Sequence, residues 1–409
     1  MTLELEKLTN EIETMAQGAY RRREATNAVL EELMRRLRAH RTAWDTLEEA
    51  LGRAMRELDM KWYRAARPLD DREPLDAVVP PPHPPAEATL VAGDGSQILP
   101  NRHGAYLYSV INVGVIVYYH GRGQAPFQTT YPTLDYPNGD HPDEDTFVDK
   151  GAIINLRRDK AEIETLVEVA YDYLDESCPV LALLDQRLLY WPVGSSGAEE
   201  GQRVLLSWQQ AMSRACDGGI LLAGYIVRPA KRSVLTMLRT LDILRPAFDK
   251  TQLEQGGREP GLTDAALFRR LLVEPGHRSK VFVDVSQHNN DFRSRDPRNE
   301  VCFFYLNPGR SGRQIARVDI PYCVAEDPAQ LEMVHGLIYN QCQIMGDYPY
   351  VLTRADELAV ISGRDRENLD VMIGNAMEKY GLGAAVTAKE SGKQVARAGR
   401  TRHDGLRRR

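Results

Sequence analysis

The stretch LVAGDGSQIL, residues 90–99, places a carboxylate where an apolar run should enter a core. Asp94 directly follows Leu90, Val91, Ala92 and Gly93, with Gly95 and Ser96 behind it. An ionised carboxylate is costly to bury unless it is paired or bound to a cation. A second acid has the same placement: in VLALLDQRLLYW, Asp185 follows five apolar residues. Strand ends of an open α/β sheet are where such folds bind ligands, and two of them can set Asp94 and Asp185 side by side. Adjacent carboxylates repel, and a divalent cation relieves the repulsion. Hard oxygen ligands favour Mg²⁺ or Mn²⁺.

Three further segments offer supporting chemistry. The helical pattern NLRRDKAEIETLVEVA brings Glu162 and Glu164 near its apolar stripe, either of them a candidate third ligand. In GYIVRPAKRSVL, Tyr225 ends an apolar strand and Arg228, Lys231 and Arg232 follow. Cations beside an acidic metal site suit a phosphodiester, whose charge they share with the metal. In GDYPYVLTRADELAVIS, Asp356 and Glu357 precede the apolar run at 358–361, after a turn at Pro349. Each piece also has a plainer reading: a solvated glutamate, an ordinary helix start, a chance Asp-Gly-Ser. Their order along the chain is what makes the set informative.

These residues need elements to hold them. Residues 1–66 read as an amphipathic helical arm: Leu5, Leu8, Ile12 and Met15 recur at three-four spacing, as do Leu30, Leu33 and Leu37, then Trp44, Leu47 and Leu51. Such an arm packs on its own protein or offers a dimer or partner surface. Five prolines within residues 80–85 break the pattern, so 67–88 reads as a linker. From Leu90 the texture alternates between apolar runs and amphipathic segments. Strands are predicted at 90–93, 105–119, 180–184, 219–227, 280–286, 301–305 and 315–320. Helices are predicted at 155–174, 199–215, 230–245, 263–273, 327–345 and 364–380. Interleaved strands and helices indicate an α/β sheet. Residues 121–150, rich in Pro, Gly and Asp, read as a long loop whose acids at 141–149 could bind a cation but fit a solvated loop better. The C-terminal residues 386–409 form a basic tail with almost no apolar content and are expected to be disordered.

Bulk properties narrow the function. The net charge of −6 excludes a global positive field that draws in nucleic acid. Any nucleic-acid binding therefore needs a local basic groove or metal ions. The cysteines at 178, 216, 302, 323 and 342 form no C-x-x-C pair and are odd in number, so reduced thiols in a cytoplasmic protein are expected. No window is apolar enough for a membrane span. There is no P-loop and no G-x-S-x-G nucleophile elbow. His335 lies on an amphipathic helix, where packing is its expected role.

The ordered set DGSQ at Asp94, RRDKAEIETL at Arg157, LLDQR at Asp185, AGYIVRP at Tyr225, ARVDIP at 316–321 and GDYPYVLTRADELAVIS at 346–362 resembles the NurA nuclease family. The resemblance covers roughly residues 88–380. It implies a ribonuclease-H-like mixed sheet flanked by helices, with the nuclease domain over 89–385 and the helical arm as an N-terminal extension. It also implies a metal-dependent DNA nuclease acting with a HerA-type hexameric ATPase in DNA end resection and repair, and a homodimer. By the same resemblance Asp94, Glu162, Asp185 and Asp356 hold two divalent ions, Mn²⁺ or Mg²⁺, with Glu164 the alternative to Glu162. Tyr225 orients the phosphate or the strand, and Arg228, Lys231 and Arg232 act as phosphate clamps. Tyr106, Tyr108, Tyr118 and Tyr119 are stacking candidates, although their alternation equally fits core packing. Two positions depart from the family pattern. Asp356 stands where a histidine ligand is common, and Asp319 where a glutamate is expected. The first departure keeps open a rival reading, a catalytically decayed structural adaptor for a translocase.

Overall fold

Residues 5–101, 104–137, 151–174, 178–192, 198–254, 262–309 and 314–382 are described by the computed structural model of the chain. Nine strands pair into one mixed sheet: β1 (Ala65–Pro68), β2 (Ala88–Ile98), β3 (Ser109–His120), β4 (Phe127–Asp135), β5 (Val180–Leu184), β6 (Leu221–Ile226), β7 (Phe282–Val285), β8 (Val301–Leu306) and β9 (Ala316–Pro321). Their order across the sheet is β1-β7-β8-β9-β6-β5-β2-β3-β4. The flanking helices are α1 (Thr9–Ala39), α2 (Trp44–Glu57), α3 (Gly151–Asp172), α4 (Ala198–Asp217), α5 (Ser233–Thr240), α6 (Asp264–Leu271), α7 (Gln287–Arg295), α8 (Pro328–Met345), α9 (Tyr350–Ala359) and α10 (Gly363–Glu378).

One half of the sheet has ribonuclease-H-like topology. Strands β2, β3 and β4 form an antiparallel meander, and β5 and β6 run parallel to β2. The sequence builds it by alternation with period two. Leu90 and Ala92 face one core with Leu181 and Leu183, while Val91 faces the other with Val113, Val115 and Ala182. Both faces are covered, so the strands read as nearly unbroken apolar runs. Helix α3 packs on β2 through Ile163, Leu166, Val167 and Ala170.

Four features differ from the sequence expectations. First, β2 does not stop before Asp94. It continues to Ile98, and Asp94 lies opposite Gly114 of β3 in mid-strand. The carboxylate is tolerated there because it faces other polar groups, not apolar core. Second, residues 127–135, expected as loop, form β4. This is an edge strand exposed on both faces and interrupted by Pro132, so it carries no hydrophobic alternation to read. Third, residues 65–68 form strand β1, antiparallel to β7, across the boundary expected between arm and linker. The prolines after it lie against the fold, with Pro82 and Pro84 at Gly336 of α8. Fourth, Cys216 and Cys323, expected as reduced thiols, are joined in a disulfide. The end of α4 and the turn after β9 bring them together across 107 residues, a proximity that spacing does not reveal. Cys178, Cys302 and Cys342 are free and buried.

The arm is half seated. Leu30, Leu33 and Leu37 of α1 and Leu47, Ala50 and Leu51 of α2 share a core with Val234, Leu238 and Phe268. Leu5, Leu8, Ile12 and Met15 remain exposed. No described helix is long and apolar enough to cross a membrane. The acids at 141–149 and the tail at 386–409 lie outside the described residues.

Candidate active site

Two glycines allow the site to assemble. A Cβ on Gly95 would lie 2.4 Å from Glu162 Oε1 and 2.8 Å from its Cγ, so only glycine admits the α3 glutamate against β2. A Cβ on Gly114 would lie 2.4 Å from the Ala359 nitrogen, so β3 is bare where α9 crosses it. The end of α9 is fixed there by hydrogen bonds to the Ala359 carbonyl from Ser96 Oγ (2.5 Å) and Asn112 Nδ2 (2.9 Å). This close approach brings Asp356 to Asp94, near enough for their carboxyl groups to share a hydrogen bond.

The acids sense one another. Burial raises the Asp94 carboxyl above its ordinary range, and Asp356 adds to the rise against a 2.9 Å hydrogen bond from the Gly95 N–H. Asp185 is pushed up to about 6, first by burial, with Asp94 and Asp356 contributing and a Tyr348 hydrogen bond opposing. Glu162 is pushed up to about 8, again first by burial, with Asp94 and Asp185 contributing and Arg158 opposing. Each of these three acids is thus more readily protonated than a free carboxyl, because burial and its acidic neighbours disfavour the charged form.

The structure also separates the two helix glutamates. Glu162 is 5% exposed. Its Oε2 accepts a 2.6 Å hydrogen bond from Gln186 Nε2, and its Oε1 pairs with Arg158 Nε at 3.1 Å. Arg158 is held in turn by Gln97 (3.0 Å) and Asp159 (2.7 Å). Glu164 points to solvent beside Lys160. The Asp185 segment is steadied from below by Asp319, whose Oδ2 accepts from the Leu188 N–H at 3.2 Å while Arg317 Nε holds Oδ1 at 2.6 Å.

Two sequence expectations change here. Tyr225 does not present a hydroxyl to open space. It is 1% exposed, with its oxygen 3.8 Å from Cys342 Sγ, because the apolar strand that precedes it turns it inward. Tyr348, not among the residues singled out by their spacing, reaches the acids instead. Its hydroxyl donates to Asp185, and its ring meets Tyr225 edge-on at 5.6 Å. The only sequence signal for it was its place inside GDYPY. Among the three expected cations, Lys231 lines a cavity of about 640 Å³ that Asp185 also lines, whereas Arg228 and Arg232 do not line it. Arg228 is exposed and Arg232 half-buried at the start of α5.

The candidate stacking tyrosines have partners within the protein. Tyr108 donates to Asp370 (2.8 Å), Tyr118 meets Tyr350 and Tyr119 meets Tyr173. Tyr106 packs against the small cluster formed by Ile98, Tyr108 and Val110. His335 is fully buried, with Nε2 2.6 Å from the Gly276 carbonyl oxygen.

Among the described residues no group of three or more His, Cys, Asp or Glu side chains is gathered closely enough to hold a metal ion. The donor chemistry nevertheless fits a hard divalent cation. The donors are all carboxylate oxygens, three of the four acids are raised by burial and by one another, and Asp94 and Asp356 are in contact.

The comparisons with known proteins agree with the motif order. A family model for the NurA domain matches residues 88–361, well over half of the chain. No curated protein matches the sequence. Among solved structures, the NurA nuclease from Sulfolobus solfataricus is 14% identical, covering 83% of this chain and 98% of its own at a TM-score of 0.47. A NurA structure with manganese is 12% identical, covering 83% and 97% at a TM-score of 0.41. A NurA structure bound to dAMP and manganese is also 12% identical, covering 71% and 88% at 0.36. The family match covers every strand and helix that carries the four acids, and by it this chain belongs to the NurA family.

Proposed function

We propose that this protein is a divalent-metal-dependent deoxyribonuclease that hydrolyses phosphodiester bonds of single- and double-stranded DNA. One observation carries the reading. Asp94, Glu162, Asp185 and Asp356 arrive from four different elements at one partly buried place and burial and mutual charge raise three of them. Such an arrangement has little structural value without a cation to neutralise it.

Asp94, Asp185, Asp356 and Glu162 would hold the metal, Mn²⁺ or Mg²⁺, as two ions. When bound, the ions supply Lewis-acid stabilisation of the attacking and leaving oxygens. The residues of the chain do the remaining work. Tyr348 fixes the rotamer of Asp185, and Tyr225 braces Tyr348 from behind. Gln186 and Arg158 hold both oxygens of Glu162, which keeps that acid aimed at the site. Lys231 lies in the adjoining cavity and takes a strand phosphate, and Arg228 and Arg232 extend the basic path beyond it. Asp356 in the place of a histidine makes the donor set wholly oxygen, which favours Mg²⁺ or Mn²⁺ over softer ions.

Family membership supports action in the cytoplasm as a homodimer beside a HerA-type hexameric ATPase in DNA end resection and repair. The test is cleavage of end-labelled single- and double-stranded DNA by wild type and Asp94→Ala, with Mn²⁺, Mg²⁺ or EDTA. Cleavage that disappears with EDTA and with Asp94→Ala is expected. The absence, among the described residues, of three donors gathered closely enough to hold a metal favours one rival, a structural adaptor. Absence of both cleavage and calorimetric Mn²⁺ binding, with the ATPase added, decides for that rival.

A further inference from the structure

Arg187 lies two residues beyond Asp185, yet among the described residues its guanidinium makes no hydrogen bond or ion pair. It lies over the ring of Trp191, 4.0 Å from the centroid. The same ring stacks with His288 at 4.9 Å and an interplanar angle of 10°. Lys231 Nζ is 5.0 Å from that ring and 3.9 Å from Asp284 Oδ2, longer than a hydrogen bond. Arg317 is 2% exposed, and its Nη1 has no partner among the described residues. Arg187, Trp191, Lys231, Arg317 and Asp319 all line the cavity of about 640 Å³ that Asp185 also lines.

Arg187, Lys231 and Arg317 meet Asp319, Asp284 and the Asp185 of the acid cluster there, yet the Arg187 guanidinium and Arg317 Nη1 still lack an acceptor among the described residues. Cations withdrawn from water without acceptors are costly, and one bound anion supplies the missing acceptors. The cavity has the size of a small-ligand site. Arg187 and Trp191 line it, with His288 stacked on the Trp191 ring from outside the lining, and an arginine plane is a surface on which an unpaired base stacks.

We propose that this cavity seats one unstacked nucleotide, with its phosphate on Lys231 and its base continuing the His288–Trp191–Arg187 stack. The inference rests on the nuclease reading for the origin of that nucleotide, the strand being cut. It gives Arg187 and Trp191 a role in holding an unpaired nucleotide of that strand.

The cavity is testable without cleavage. Full-length protein is titrated with thymidine 5′-monophosphate, thymidine or inorganic phosphate, in EDTA and again with Ca²⁺, by calorimetry and tryptophan emission. Thymidine 5′-monophosphate is expected to bind at least tenfold more tightly than thymidine or phosphate and to change the emission. Trp191→Phe removes the emission change. Arg187→Gln weakens nucleotide binding at least tenfold, and Arg187→Lys, which keeps the charge without the plane, does not restore it. Lys231→Met weakens the nucleotide more than the nucleoside. Unchanged melting of each variant excludes misfolding. Equal affinity for phosphate and nucleotide reveals a plain anion site and overturns the proposal, as does wild-type affinity in Arg187→Gln. The nuclease reading fails separately: DNA then stays uncut by wild type with Mn²⁺ while nucleotide binding still depends on Arg187.

Discussion

Replacing Glu162 by Gln tests whether the acid cluster is built to hold a cation. In the metal-free protein Glu162 is pushed up to about 8 from an ordinary 4.5, chiefly by burial. A raised acid gives stability that is fully present below its unfolded pKa and is lost as pH rises through its folded pKa. The wild type in EDTA should therefore lose stability between about pH 4.5 and 8. Each pKa unit is worth about 1.4 kcal/mol, so the loss is on the order of 4–5 kcal/mol. For a chain of this length that corresponds to about 5 °C in melting temperature. Glu162→Gln keeps the shape and an acceptor for Gln186 but does not ionise. Its melting temperature relative to wild type should rise by that amount from pH 4.5 to 8.5. Saturating Mn²⁺ should remove most of the difference by stabilising the wild type. Thermal scans of both proteins across pH, with and without Mn²⁺, provide the measurement. Parallel pH profiles in EDTA would refute the reasoning, because Glu162 would then carry no uncompensated charge.

Four other outcomes are expected. Gly95→Ala drives a methyl group into Glu162 and should lower cleavage about 100-fold, as small misplacements at catalytic groups do, with weaker Mn²⁺ binding by calorimetry. Gly114→Ala meets backbone of α9, which cannot rotate away, and should cost roughly 1–3 kcal/mol in urea unfolding as well as activity. His335 is held down to about 3, first by burial, so its stabilising contribution is present above about pH 6.5 and lost as pH falls toward 3. His335→Gln should flatten that acid limb in pH-dependent melting. Thiol titration of unreduced, denatured protein should find three reactive cysteines, and Cys216→Ser should lower stability by about 2–4 kcal/mol.

The acids themselves were legible in the sequence because burying a charge leaves a mark: Asp94 and Asp185 each end an apolar run. The order of the motifs then pointed to the family. What the sequence does not encode locally is how far a strand continues past such a residue. β2 runs on through Asp94 because its partner strands and α3 offer polar groups there, which is a tertiary fact. The choice between Glu162 and Glu164 had the same character. Both lie near one apolar stripe, and only the bare strand at Gly95 selects Glu162. Edge strands β1 and β4 were invisible for the opposite reason. β1 is only four residues long and β4 is exposed on both faces, so no hydrophobic period marks either. Tyr225 and Tyr348 exchanged roles because two rings in contact differ in reach, and reach depends on where the backbone turns.

Helix α1 spans 31 residues, about 46 Å at the usual rise, but only its C-terminal half is anchored in the core. The exposed stretch from Thr9 to Arg21 is therefore a strut of about 20 Å with Ile12, Met15 and Tyr20 along it. Its anchored end shares a core with β1, and β1 is zipped to β7 in the same sheet whose strand β2 carries Asp94. A body gripping the tip of the strut is thus held at a set distance and bearing from the acid cluster. Force applied there reaches the acid cluster through hydrogen-bonded strands with no loose tether between.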